Sequence, residues 1–88
     1  MSWTSRLSNQ AAKQFRRLPQ DRRKQIAQAI EETLRDPTSG DVRPIKSGKF
    51  KGTLRKRVGS YRIVFALDQA AQTVDIAAII MRTGKTYR

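Results

Sequence analysis

The sequence contains no cysteine and no histidine, and each absence excludes a class of chemistry. Without cysteine the chain has no disulfide, no thiolate zinc site and no thiol nucleophile. Without histidine it lacks the usual general base and the commonest metal ligand. Any catalysis must therefore use lysine, arginine, tyrosine, serine, threonine or a few carboxylates, and we expect neither a metal nor another cofactor.

Long apolar runs are also missing. The longest one near the C terminus, residues 76–81, is far shorter than the roughly 20 residues that span a bilayer. The first ten residues lack the apolar core of a signal peptide. We therefore expect a cytoplasmic protein without a membrane partner, and the length of 88 residues predicts a single domain over residues 1–88.

Negative charge is scarce: 7 acidic residues face 19 lysines and arginines, which gives a net charge of +12. Such an excess predicts a polyanionic partner, either a nucleic acid or an acidic protein. The densest basic stretch has no acidic residue between its members, which are Arg43, Lys46, Lys49, Lys51, Arg55, Lys56, Arg57 and Arg62.

The hydrophobic pattern changes from a helical period to a period of two in the second half of the chain. The predicted elements are a strand at 2–7 with Trp3 and Leu7 inward, a helix from the N-cap Ser8 to Leu18, a helix at 20–35, a short strand near 42–45, and strands at 53–58, 61–67 and 73–82, the last one central. This order predicts an α+β fold, in which an N-terminal strand and a helical hairpin pack on one face of a mainly antiparallel sheet of about four strands. The opposite face of the sheet is expected to stay open.

Strand alternation places Arg55 and Arg57 on the same face of the predicted sheet. The turn at Gly59 brings the next strand alongside, with Arg62 on the same side and Arg82 within reach. For one arginine, an outward charge that discourages strand pairing is the simpler interpretation. Four converging guanidinium groups instead favour a phosphate site, because each is a fork suited to bidentate phosphate contacts.

Other residues are candidates for weaker contacts with nucleic acid. Tyr87 either ties down the C-terminal tail or stacks on a nucleobase, a contact worth about 1–3 kcal/mol. The basic residues of the helical corner form either a solvated face or a set of non-specific phosphate contacts. The predicted RNA-binding or phosphate-binding residues are Lys49, Lys51, Arg16, Arg17, Arg22 and Arg23.

The run LRKRVGSYRIVF at residues 54–65 resembles the central signature of the RelE/ParE toxin superfamily. The segments FRRLP at 15–19 and LRDP at 34–37 resemble the ends of the two helices in that family, and Arg82 and Tyr87 match its closing residues. The resemblance covers nearly the whole chain. It implies a bacterial type II toxin–antitoxin toxin with the RelE-like fold.

Two activities are known in such toxins, and the resemblance leaves both open. RelE-like toxins cut mRNA in the ribosomal A site by attack of a 2′-hydroxyl on the adjacent phosphate. ParE-like toxins share the fold and poison DNA gyrase without enzymatic activity. The arginines and Tyr87 favour the endoribonuclease, because a gyrase poison does not need that constellation. A plain DNA-binding helical hairpin ranks last, since a helix-turn-helix normally has a third supporting helix.

The resemblance also implies catalytic roles, position by position. Arg55 and Arg57 occupy positions where RelE-like toxins have active-site lysines, and Arg62 occupies that of an arginine that stabilises the transition state. Arg82 matches an arginine that protonates the leaving group or binds phosphate, and Tyr87 matches a tyrosine that orients the substrate. The sequence departs from the pattern by placing arginine where lysine is expected and Met81 where many relatives have histidine.

These departures leave proton transfer without an obvious group, because arginine stays charged and is a poor general base. Either catalysis is almost wholly electrostatic, with ribosomal RNA orienting the 2′-hydroxyl, or Lys85 or Tyr87 transfers the proton.

The resemblance implies three partners for the toxin. A cognate antitoxin is expected to cover it with an acidic segment, because complementary charge speeds and orients association. The ribosome with mRNA in its A site is the expected target. DNA is expected as a partner only indirectly, through the complex with the antitoxin.

Overall fold

Five strands and two helices make up residues 3–81, the part of the chain that the structure, a computed structural model, describes. In chain order they are β1 (Thr4–Leu7), α1 (Asn9–Arg16), α2 (Gln20–Arg35), β2 (Asp41–Pro44), β3 (Leu54–Val58), β4 (Tyr61–Asp68) and β5 (Thr73–Met81). The predicted α+β class is confirmed, but the sheet has five strands rather than about four. The fifth is β2, which pairs with β3 in full register and begins one residue earlier than the short strand predicted near 42–45.

The two helices begin and end at signals that are local in sequence. Ser8 caps α1, since its hydroxyl accepts a hydrogen bond from the Ala11 backbone N–H at 3.0 Å. Pro19 separates the helices because the residue before a proline disfavours helical geometry. After α2 the chain turns extended at Asp36. Neither helix is long and apolar enough to cross a membrane.

The strand order in the sheet is β1-β5-β4-β3-β2. The chain enters the sheet at one edge with β1, which runs parallel to β5, and the three other pairings are antiparallel. A two-residue turn joins β3 to β4, and Gly59 adopts a positive φ of 56° there, a conformation that suits glycine. The expectation that the last strand is interior is confirmed, since β5 lies between β1 and β4.

Both helices pack on one face of the sheet and form the core with it. The most buried large side chains include Phe65, Ile26 and Ile76. Trp3 packs against this core as expected. Leu7 was predicted to point inward, but it is 37% exposed, because β1 is an edge strand and all four of its residues are exposed.

A β-bulge in β5 changes the alternation of its side chains. Val64 pairs with Ala78 whereas Phe65 pairs with Ile76, so Ala77 is the extra residue. As a result Ile76 and Ile79, three positions apart, both join the core. The bulge therefore explains why the core positions of β5 do not follow strict alternation.

Candidate functional site

The sheet face opposite the helices carries Arg55, Arg57 and Arg62, and we call this set the arginine face. Arg55 and Arg57 are two apart in β3, and Arg57 lies directly opposite Arg62 of β4 in the strand register. Cross-strand partners in a sheet project from the same face. The register thus places these three arginines as the alternation predicts, whereas their functional roles stay predictions.

Arg57 and Arg62 are close because of the short hairpin that joins their strands. The turn closes at Val58 and Tyr61, so the next pair inward, Arg57 with Arg62, is of the non-hydrogen-bonded type. In such pairs the Cα atoms lie only about 4.5 Å apart. Two positive charges directly opposite one another repel, and here the carboxylate of Asp41 lies 3.8 Å from Arg57 Nε.

Arg55 is the most buried member of the arginine face, with 18% of its side chain exposed. Its Nη1 atom is buried and forms no hydrogen bond with any described residue. Val64, which faces Arg55 across the strands, and Ala78 beyond it are almost fully buried, so the centre of this face is not open, contrary to the expectation from the sequence. A buried charged donor without a hydrogen bond costs about 1–3 kcal/mol or more, so an anionic oxygen at this position would stabilise the protein.

Among residues 3–81, the carboxylate that lies beside these arginines is that of Asp41 in β2. Its Oδ1 is 3.8 Å from Arg55 Nη1 and 3.6 Å from Arg43 Nε, and its Oδ2 is 3.8 Å from Arg57 Nε. Sequence reasoning missed Asp41 because the predicted strand began after it. The sequence feature that could have indicated Asp41 is its two-residue spacing from Arg43. In a strand that pairs with β3, this spacing puts both side chains on the arginine face.

Lys56 lies between Arg55 and Arg57 in sequence but on the opposite face, where it is 3% exposed. Its ammonium lies 3.2 Å from Thr33 Oγ1 and 3.4 Å from the Ala29 carbonyl oxygen, both on α2. The half-exposed Glu32 carboxylate is 3.6 Å away. Lys56 therefore joins β3 to α2, and the alternation of the strand then places its two arginine neighbours on the arginine face.

On the same sheet face, at the edge formed by β1 and β5, a second ion pair neutralises the charges of Arg6 and Asp75. Arg6 in β1 donates to Asp75 Oδ1 at 2.8 Å and to Oδ2 at 3.0 Å, a bidentate contact. This hydrogen bonding lowers the pKa of Asp75 and raises the pKa of Arg6. Positive charge on this face is therefore concentrated at β2, β3 and β4.

Lys49 and Lys51 lie in the connection between β2 and β3, and both are exposed. The ammonium of Lys49 is 5.6 Å from the centre of the Phe50 ring, within range of a cation–π contact. Since this connection continues from the strands that carry Arg43 and Arg55, the two lysines extend the basic surface along the hairpin.

The structure does not bring the basic residues of the helical corner to the arginine face. Arg16, Arg17 and Arg22 are exposed in the helical layer, on the other side of the sheet. Arg23 donates from Nη1 to the Leu18 carbonyl oxygen at 2.8 Å. That contact gives Arg23 a structural role in closing the turn between the helices.

Three predicted site residues, Arg82, Lys85 and Tyr87, lie outside the described residues. Within residues 3–81 no cluster of three or more potential metal ligands of the His, Cys, Asp or Glu types occurs.

The sequence matches the family described as "ParE toxin of type II toxin-antitoxin system, parDE" over residues 5–84. No curated protein matches the sequence. Several solved structures do match the fold. A chain of the RelBE2 toxin–antitoxin complex from Mycobacterium tuberculosis is 24% identical, with a TM-score of 0.80 over 93% of this chain and 100% of that one.

Two further structures support the same fold. The archaeal RelE–RelB complex from Pyrococcus horikoshii gives 18% identity and a TM-score of 0.77, over 96% of this chain and 99% of that one. The isolated RelE toxin from E. coli gives 16% identity and a TM-score of 0.77, over 97% and 90%. At these identities the likeness establishes the fold, which is that of RelE. Because the family match spans most of the sequence, the chain belongs to the family of ParE toxins of type II toxin–antitoxin systems.

Proposed function

We propose that this toxin is a ribosome-dependent mRNA endoribonuclease that inhibits translation. The observation that carries the proposal is the buried Arg55 Nη1, which forms no hydrogen bond with any described residue, next to Arg57 on the same strand. A charged donor in that position is suited to a phosphate oxygen. Together with Arg62 on the neighbouring strand, it forms a site for the scissile phosphate of RNA.

The reaction is an in-line displacement at phosphorus. The 2′-oxygen forms a bond to the adjacent phosphorus, the bond to the 5′-oxygen breaks, and the products are a 2′,3′-cyclic phosphate and a 5′-hydroxyl. The transition state carries more negative charge on its oxygens than the phosphodiester does. Fixed guanidinium groups stabilise that added charge, and the effect is larger at a partly desolvated position such as Arg55.

Each basic residue has a proposed role. Arg55 and Arg57 bind the scissile phosphate, and Arg62 stabilises the transition state. Through the family resemblance alone, Arg82 acts at the leaving group and Tyr87 orients a base. Lys49 and Lys51 extend the contacts along the RNA backbone.

We also propose a cognate antitoxin that binds through an acidic segment. The net charge of +12 favours such a partner. The structural neighbours from M. tuberculosis and P. horikoshii are toxin–antitoxin complexes, which supports an antitoxin here as well.

The test is addition of the purified toxin to a translating extract, followed by mapping of the new mRNA 5′ ends. The wild type is expected to cut mRNA. Arg55→Gln should lower the cleavage rate by about 10²–10³, the effect of removing one donor to a developing oxyanion. Arg35→Gln, which removes the same charge from the exposed end of α2, is the matched control. Equal cleavage by the two variants would contradict the role of Arg55.

A ParE-like poison of DNA gyrase is the second candidate. The observation that favours it is that the matching family is described as ParE toxin. The same preparation should therefore be tested for inhibition of gyrase supercoiling. Intact mRNA together with blocked supercoiling would decide for the gyrase poison, and the arginine face would then not be a catalytic site.

A further inference from the structure

We propose that Asp41 is the general base of the cleavage reaction, the group that takes the proton from the attacking 2′-hydroxyl. The proposal rests on the proposed endoribonuclease function. It supplies the step that the arginines cannot perform, because a guanidinium stays protonated at any physiological pH and has no acceptor. Asp41 is a catalytic residue in this proposal, since it contacts a reacting atom.

The position of Asp41 meets the first requirement of a general base, which is reach. In the register of the sheet, Asp41, Arg57 and Arg62 form one row across β2, β3 and β4 on the arginine face. The two carboxylate oxygens of Asp41 lie 3.8 Å from Arg55 Nη1 and 3.8 Å from Arg57 Nε. A phosphate held by these arginines, and the 2′-hydroxyl beside it, would therefore lie next to the carboxylate.

The carboxylate of Asp41 is also available to accept a proton. No residue within 3–81 donates a hydrogen bond to either oxygen, and its side chain is 42% exposed. Asp75, on the same face, is already engaged by the two hydrogen bonds from Arg6. Of the seven Asp and Glu side chains, only Asp41 lies within 4.0 Å of Arg55 or Arg57.

The charges around Asp41 suit proton transfer. The charged groups that face it are Arg43 from β2 and Arg55 and Arg57 from β3. As the proton moves to Asp41, negative charge moves to the phosphorane oxygens, where the same arginines stabilise it. The 5′-oxygen takes a proton from water, and Asp41 later returns its proton to water, so the step balances.

The test is single-turnover cleavage of mRNA on programmed ribosomes between pH 5 and 9, with binding to the ribosome measured separately. Asp41→Asn should lower the rate constant at least about 100-fold, the usual contribution of a general base, without weaker binding. Asp41→Glu should retain part of the rate. Glu31→Gln makes the same change of charge on the exposed surface of α2 and serves as the control.

The pH profile separates a base from a structural group. The pH profile of Asp41→Asn should differ from that of the wild type, because asparagine cannot exchange a proton in the reaction. Circular dichroism checks folding, and Asp41→Ser replaces the asparagine variant if that one fails to fold.

Two results would overturn the proposal, and they differ. If the wild type cuts mRNA and Asp41→Asn cuts equally fast with the same pH profile, Asp41 is only a counter-ion of the arginines. If the wild type produces no new 5′ ends, the endoribonuclease function is wrong, and the assignment of Asp41 falls with it.

Discussion

Replacing Lys56 by methionine should make the protein more stable, although it removes every polar contact of that side chain. Lys56 is 3% exposed and lies between the sheet and α2. Its ammonium contacts the Thr33 hydroxyl at 3.2 Å, the Ala29 carbonyl at 3.4 Å and Glu32 at 3.6 Å. Methionine has nearly the same length and fills the same space without a charge.

The magnitude follows from what the ammonium gains and costs. Its two hydrogen bonds are long for a charged donor, so each contributes about 1.5 kcal/mol, the low end for charged groups, and the pair with half-exposed Glu32 contributes about 0–1 kcal/mol. Burial of an ammonium costs several kcal/mol. Without Lys56, the Thr33 hydroxyl still donates to the Ala29 carbonyl oxygen at 2.9 Å, and Glu32 is hydrated, so no buried group loses its partner. We therefore expect the free energy of unfolding to rise by about 1–2 kcal/mol.

Thermal unfolding followed by circular dichroism measures this effect. For a chain of this length, a gain of 1 kcal/mol raises Tm by about 4–8 °C. Lys56→Ala should be less stable than Lys56→Met by about 2–3 kcal/mol, because the buried stem is lost. Lys24→Met, at an exposed position of α2, should change stability by less than about 0.5 kcal/mol. A fall in Tm for Lys56→Met would refute the reasoning and show that the polar contacts outweigh the cost of burial.

Two further changes test the ends of the sheet. Ser8→Ala removes the cap on Ala11 N and the hydrogen bond to the Ala77 carbonyl oxygen at 2.7 Å, and should lower the free energy of unfolding in urea by about 1–2 kcal/mol. The hydrogen bond from Arg6 lowers the pKa of Asp75 below its ordinary value of 3.8. The ionised carboxylate therefore stabilises the folded protein at pH values above 3.8, and this stabilisation is lost as the pH falls through the lower pKa of the folded state. Urea unfolding between pH 2 and 6 should therefore show a weaker loss of stability on the acid side for Asp75→Asn than for the wild type, and equal slopes would contradict this.

The features that the sequence predicted correctly depend on short-range signals. Ser8 begins α1 through a hydrogen bond that reaches three residues along the chain. Pro19 separates the helices through its effect on its immediate neighbour. The faces of β3 and β4 follow from alternation and from the two-residue turn at Gly59, which fixes their register.

The features that the sequence did not predict depend on pairings between distant residues. The parallel contact of β1 with β5 joins Arg6 to Asp75, 69 residues apart, and no local pattern specifies it. The bulge at Ala77 lies in a strand that is apolar at nearly every position, so alternation cannot locate it. Asp41 joins the arginine face only because β2 pairs with β3, and in sequence it lies outside the basic run that begins at Arg43.

The three basic residues at 55–57 are the best evidence that register, rather than charge alone, builds the site. Shifting β3 by one residue would turn every side chain to the other face, so two guanidinium groups would be buried against α2 and one ammonium exposed. Burial of one lysine, with a flexible stem that reaches the Ala29 carbonyl, is far less costly than burial of two arginines. The apolar neighbours Leu54 and Val58 face the core together with Lys56 and favour the same register. Since methionine at position 56 would favour that register still more strongly, the arginine face does not depend on the charge of Lys56, and the site and the core can be varied independently.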